Sequence, residues 1–119
     1  MRLPTVTRLA RIGIEEPTAK EIRRALEAAF ADPYSDLSTS DKVTNALTAA
    51  DEILQRAGLS HGVEYIRHAD DSQHDVSGIE FVNIGHTYSV TLLFDHLKNR
   101  FDVCSWGDIV ETAAEGSYP

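Results

Sequence analysis

Histidine and aspartate are concentrated in residues 68–75, where two histidines stand among three aspartates. Imidazole and carboxylate groups are ligands for zinc, manganese or iron, so His68 and His74 are the candidate metal-ligating pair. Five residues separate the two histidines. That spacing does not place two ligands on one helical face, and no Cys-x-x-Cys or His-Glu-x-x-His motif accompanies it. We therefore expect a solvated loop here, with no metal and no cofactor.

Cys104 is the single cysteine and could act as a nucleophile beside an imidazole. Its place in a β-type run favours a small strand residue instead. The sequence has neither a phosphate-binding glycine loop nor the Gly-x-Ser-x-Gly motif of serine hydrolases. An enzyme or a ligand- or metal-binding module centred on residues 83–108 stays open as the alternative function. Its candidate ligand site combines polar and aromatic side chains, namely Asn83, His86, Tyr88, Trp106 and Asp108.

Acidic residues outnumber basic ones and give the 119-residue chain a formal net charge of −8. Residues 1–59 contain 8 basic and 9 acidic residues, whereas residues 60–119 contain 3 and 10. A field of this sign repels phosphate and attracts a basic partner, so the second half is not expected to bind DNA, RNA or anionic lipid directly. The candidate partner-binding set is its acidic side chains Glu64, Asp70, Asp71, Asp75, Glu80, Asp95 and Asp102.

The length fits one domain, residues 1–119, with a core large enough to need no disulfide or structural metal. No apolar run reaches the length of a membrane span, and no signal-peptide core follows the first residues. A single cysteine is typical of a reducing compartment. We therefore expect a cytoplasmic protein.

The first half of the chain is expected to be helical. The apolar spacing of residues 1–14 permits a short helix, and their β-branched residues and Gly13 equally permit a strand or a docked arm. The segment carries three arginines and no acid, so its charge could seat it on the acidic half of its own chain or on a partner. Residues 18–58 predict a pair of amphipathic helices. Thr18 opens the first helix with a capping box, and Ser38 caps the second. Gly58 follows the last turn of the second helix, at the position where helices commonly end with a residue of left-handed backbone conformation.

After residue 63 the hydrophobic period changes from about 3.6 residues to about 2, which predicts an antiparallel meander over residues 63–106. The expected strands are 63–67, 79–84, 88–94 and 101–106. The fold class is α+β, with two amphipathic helices packed on one face of a three- or four-stranded antiparallel sheet.

Alternation along these strands predicts which side chains lie on each face of the sheet. The residues expected to cover the helices are Ile79, Phe81, Val90, Leu92, Phe94, Phe101 and Val103. The residues expected to point to solvent are Glu64, Glu80, Thr91, Leu93, Asp95 and Asp102. A short terminal helix is expected over residues 107–114.

One stretch of the sequence resembles a known group of proteins. Residues 82–88 read V-N-I-G-H-T-Y and precede a T-L-L-F-D strand, and residues 105–111 read S-W-G-D-I-V-E. This pattern resembles small uncharacterised proteins of phages, plasmids and integrated elements, which carry V-N-x-G-D-T-Y and S-W-G-D-x-V-E. His86 stands here in place of their aspartate.

The resemblance implies an origin in a mobile element and no particular activity. Combined with the negative charge, it makes the chain similar to anti-CRISPR or DNA-mimic inhibitors. The expected function is that of a non-enzymatic interaction protein that binds and blocks a basic site on a nucleic-acid-handling protein, for example a CRISPR effector. A homodimer formed through an edge strand, or through Leu93 and Trp106, is compatible with this function.

Overall fold

The computed structural model describes residues 2–71, 76–82 and 90–105. Three helices precede a four-stranded sheet. The elements are α1 Val6–Ala10, α2 Glu16–Ala29, α3 Thr39–Arg56, β1 Tyr65–Asp71, β2 Val76–Phe81, β3 Val90–Asp95 and β4 Arg100–Ser105. No helix within these described ranges is long and apolar enough to cross a membrane. The expected terminal helix, 107–114, lies outside the described residues.

Local side-chain chemistry explains where α1 and α3 begin and how α3 ends. The hydroxyl of Thr5 accepts a hydrogen bond from the amide of Arg8, 3.1 Å away, which caps α1. The Ser38 hydroxyl accepts from the amide of Asp41 at 3.1 Å and caps α3 at the residue that the sequence predicts. After α3, Gly58 has a φ of 93°, the left-handed conformation expected of it.

The start of α2 differs from the sequence prediction. The helix begins at Glu16 with Glu15 as N-cap, so Thr18 lies inside the first turn and does not cap it. Pro17 explains the earlier start, because its ring fixes φ near the helical value and its missing N–H is not needed in the first turn.

The four strands follow one another as an antiparallel meander in the order β1-β2-β3-β4. The first hairpin is longer than predicted, because residues 68–71, expected in a loop, belong to β1. His68 pairs with Gly78 and Asp71 pairs with Val76, with a bulge between the two pairs. The polar residues of this segment have low strand propensity, but strand propensity is a weak preference. Backbone pairing with β2 outweighs it.

The helices and the inner face of the sheet share one hydrophobic core, as predicted. Ile79, Leu92 and Val103 lie directly opposite one another on β2, β3 and β4, and all three are buried. The other buried members of the predicted inner face are Phe81, Phe94 and Phe101. The helices contribute fully or almost fully buried side chains to this core, among them Leu9, Ile22, Leu26, Leu47 and Leu54.

Two outer-face residues of β3 are buried, against the sequence prediction that they point to solvent. Thr91 is 2% exposed and Leu93 is 3% exposed. The register keeps both on the face opposite the core, with Leu93 between Gly78 and Asp102. The alternation pattern therefore gave the correct face for both residues but the wrong burial, because alternation reports which face a side chain is on and not whether that face is covered.

Candidate functional site

Two acidic residues of the candidate partner-binding set contact polar groups of their own chain near the β1 edge. Glu80 on β2 places Oε1 3.0 Å from Nε2 of His68 on β1. Glu64, just before β1, accepts a hydrogen bond from the backbone amide of Ser60 at 2.7 Å. Both side chains are half-buried, so neither carboxylate is a fully solvent-exposed charge.

Asp102 on β4 forms an ion pair with the N-terminal segment. Its Oδ1 atom lies 2.6 Å from Nε of Arg8 on α1 and also accepts from the amide of Val103 at 2.8 Å. Nη2 of Arg8 donates to the carbonyl oxygen of Val103 at 3.0 Å. The arginine-bearing segment was expected to contact either the acidic half of its own chain or a partner. The Arg8–Asp102 pair is a contact with the acidic half of its own chain.

Asp95, the last residue of β3, is buried, contrary to the prediction that it points to solvent. It is 3% exposed, and its Oδ1 accepts from the amides of Leu97 at 2.9 Å and Lys98 at 3.1 Å. Asn99 completes the turn from β3 to β4 with a φ of 54°. Aspartate commonly folds back onto amides that follow it in a turn, and this use of the carboxylate explains its burial.

Two of the three remaining members of the partner-binding set lie at the end of β1. Asp70 and Asp71 are the last two residues of β1, and Asp75 lies outside the described residues. They belong to a continuous stretch, residues 68–97, that contains five acidic residues and no lysine or arginine. This stretch includes the end of β1, all of β2 and all of β3.

The alternative ligand site is not located by the structure. Asn83, His86, Tyr88, Trp106 and Asp108 all lie outside the described residues, as does His74. These positions therefore remain predictions from the sequence.

Cys104 and His68 lie on the outer face of strands at opposite edges of the sheet. Cys104 is half-buried on β4 and pairs in register with Thr91. His68 is on β1, three strands away, so its imidazole is not beside the thiol. Within the described ranges, no group of three or more histidine, cysteine, aspartate or glutamate side chains is arranged to hold a metal ion.

The structure also contains an arginine-lined cavity that the sequence did not reveal. Arg2, Arg8 and Arg100 line a space of about 250 Å³ between the N-terminal segment and the start of β4. The other lining residues are Leu3, Pro4, Thr5, Phe101 and Asp102. Its arginines come from opposite ends of the chain, so no local motif contains them together. The positive N-terminal segment was the one signal that pointed towards it.

The backbone of the N-terminal segment closes one side of this cavity. Arg2 pairs with Arg100 in a parallel bridge, and the amide of Phe101 donates to the carbonyl oxygen of Arg2 at 3.2 Å. Asp102 is the one acidic residue in the lining, and it is paired with Arg8. The lining thus carries a formal charge of +2 in a protein of net charge −8.

Comparisons with protein-family models, with curated proteins and with solved structures return no match for this chain. Its function is therefore inferred from the geometry and charge of its own residues. Two regions stand out: the acidic stretch, residues 68–97, which contains the end of β1, and the arginine-lined cavity beside β4, at the opposite edge of the sheet from β1.

Proposed function

We propose that the protein is a non-enzymatic interaction protein that binds and blocks a basic site on a nucleic-acid-handling protein. Its contact surface is the acidic end of the first hairpin, where β1 ends at Asp70 and Asp71. The observation that carries this proposal is the charge of residues 68–97, which contain five acidic residues and no lysine or arginine.

The physical basis is competition with nucleic acid for the same cations. A groove that binds phosphates presents lysine and arginine at short intervals, and a carboxylate-rich surface is attracted by the same field. Complementary charge accelerates association and restricts the choice of partner. Because β1 and β4 are opposite edges of the sheet, the acidic end of β1 is separated from the arginines beside β4.

The contacts within the chain narrow the set of acidic residues that the proposal needs. Glu80 is paired with His68, Asp102 is paired with Arg8, and Asp95 is buried in a turn. Asp70 and Asp71, at the end of β1 and within the acidic stretch, are the residues to test first, with Asp75 beside them in the sequence.

The resemblance to mobile-element proteins gives the proposal a class of partner. An inhibitor carried by a phage or plasmid acts in the cytoplasm on the nucleic-acid-handling proteins of its host. CRISPR effector complexes, which hold their nucleic acids in positively charged channels, are the first partners to examine.

The test is a binding measurement between the purified protein and CRISPR effector complexes, made at increasing salt and with competing DNA or RNA. We expect binding that weakens with salt and is displaced by nucleic acid. The double variant Asp70→Asn, Asp71→Asn keeps the size of both side chains and removes two charges, so affinity should fall about tenfold or more.

A matched control removes two charges from the helical half of the protein. Asp36 and Glu52 are both exposed there, and the double variant Asp36→Asn, Glu52→Gln should bind within about twofold of the unaltered protein. An equal loss in both double variants would show that net charge alone is responsible and would reject the hairpin as the contact surface. Binding that nucleic acid does not displace would reject the mechanism of competition.

A further inference from the structure

We propose that the arginine-lined cavity beside β4 is a binding site for a dianionic phosphate group on a small molecule. This inference does not depend on the acidic-surface function, because the cavity lies at the opposite edge of the sheet from β1. It rests on the charge, the arrangement and the size of the cavity.

The positive charge of the lining favours a bound anion, although Asp95 lies opposite Arg100 in the register of β3 and β4. Arg2 and Arg100 are directly paired in a backbone bridge, and like charges that face each other across strands are destabilising. Within the described residues, neither of these two arginines forms an ion pair. An anion between the two guanidinium groups converts this repulsion into two attractive interactions.

The donors of the cavity suit an oxyanion. Guanidinium groups present N–H donors in a planar fork that matches the oxygens of phosphate and carboxylate. Arg8 is held in place by Asp102 and by the carbonyl oxygen of Val103, through its Nε and Nη2 atoms. Its Nη1 group remains available. The Thr5 hydroxyl accepts from the Arg8 amide and keeps its own O–H to donate.

Charge favours phosphate over a single carboxylate. The formal charge of the lining is +2, from three arginines and Asp102. A phosphate monoester carries about −1.5 to −2 at neutral pH, whereas a carboxylate carries −1. The ligand class is therefore a compact phosphate monoester.

Size limits the rest of the ligand. The cavity of about 250 Å³ is smaller than the roughly 300–1,000 Å³ typical of pockets for drug-sized molecules. We therefore expect a small phosphorylated metabolite to fit better than an extended dinucleotide cofactor.

The experiment is an NMR titration of the full chain with inorganic phosphate and with glycerol phosphate, followed through the amides of Arg2, Thr5 and Phe101 and the arginine Nε groups. We expect saturable shifts at these positions. Arg100→Gln should weaken the affinity for both probes about tenfold or more, because it removes a charge-assisted donor.

Two further variants keep the test decisive. Arg2→Gln changes an exposed residue of the N-terminal segment and should give a similar loss even if Arg100→Gln perturbs folding. Arg24→Gln is the matched control, since Arg24 is exposed on α2, away from the cavity lining, and its loss should leave the affinity unchanged.

Three results would overturn the inference. One is the absence of saturable shifts at the cavity residues with either phosphate probe. Another is an equal loss of affinity in Arg24→Gln and Arg100→Gln, which would show non-specific attraction. The third is acetate binding as tightly as phosphate, which would reject a dianionic phosphate as the ligand class.

Discussion

Arg8 on α1 and Asp102 on β4 join the beginning of the chain to the last strand, with Nε of Arg8 2.6 Å from Oδ1 of Asp102. The same arginine donates to the carbonyl oxygen of Val103, and the amide of Phe101 donates to the backbone carbonyl oxygen of Arg2. An unpaired strand edge presents free backbone groups that can pair with another chain. The N-terminal segment uses these β4 groups within the molecule, which disfavours dimerisation through this part of the edge.

The first prediction concerns Asp102→Asn. Loss of the carboxylate charge raises the formal charge of the cavity lining from +2 to +3, so phosphate should bind several-fold more tightly. The free energy of unfolding should fall by about 0.5–1 kcal/mol, because the pair is partly exposed. Phosphate titration and urea unfolding measure the two effects. Asp36→Asn, an exposed change elsewhere, should alter neither, and unchanged phosphate affinity in Asp102→Asn would argue against the electrostatic account.

The second prediction is a loss of stability at alkaline pH that comes from Tyr65. Its phenol is buried on β1 and donates a hydrogen bond to the Asp51 carboxylate on α3. Burial, followed by this hydrogen bond, raises the pKa of Tyr65 from 10.0 to about 12. The folded state thus holds the proton more tightly than the unfolded chain. The stabilisation is complete below about pH 10 and is lost as pH rises through about 12, and its upper limit is about 3 kcal/mol.

Unfolding by urea at a series of alkaline pH values measures this effect. Tyr65→Phe should be less stable at neutral pH and should lack the Tyr65 part of the alkaline decline. Tyr34→Phe is the control, because Tyr34 is 90% exposed, and it should follow the unaltered protein throughout. If Tyr65→Phe and the unaltered protein lost stability in parallel, ionisation of Tyr65 would not be the cause.

The helical pair and the meander could be predicted because their signals are local. The period of the apolar residues separates helix from strand, and a serine such as Ser38 caps the helix that follows it. The inner face of the sheet follows from alternation, which places Leu92 and Phe94 in the core. These features depend on residues within a few positions of one another.

The features that could not be predicted from the sequence depend on contacts between residues distant in the chain, or on a polar side chain that hydrogen-bonds to nearby backbone amides. The segment 68–71 is polar yet forms a strand because β2 pairs with it. Asp95 is buried because its carboxylate accepts two turn amides. The cavity joins Arg2 to Arg100, and no pattern in the sequence brings those two positions together.

The third prediction concerns the turn from β3 to β4. Asp95→Ala removes the acceptor for the amides of Leu97 and Lys98, which should lower the free energy of unfolding by about 1–3 kcal/mol. Asp95→Asn keeps a side-chain oxygen as acceptor and should recover more than half of that loss. Urea unfolding of both variants checks this. A loss no larger in the alanine variant than in the asparagine variant would show that the amides find other acceptors.

The fourth prediction concerns the close approach of β2 and β3 at Gly78. A Cβ atom on Gly78 would lie against the carbonyl oxygen of Leu92, 3.0 Å from Cα of Leu93 and 3.2 Å from Cγ2 of Thr91. Two of these three contacts are backbone atoms of an inner strand, which cannot move aside as a flexible side chain would. Gly78→Ala should therefore lower the free energy of unfolding by about 2–3 kcal/mol, as overpacking does.

Gly58→Ala is the control for the loss of glycine itself. Gly58 has a positive φ of 93° with open space around the position of a Cβ atom, so alanine there introduces backbone strain without a collision. Its cost should be about 1–2 kcal/mol, the usual penalty for a left-handed residue. Urea unfolding compares the two variants. A smaller loss for Gly78→Ala than for Gly58→Ala would mean that β2 and β3 separate readily at this point, and that steric contact does not explain the glycine.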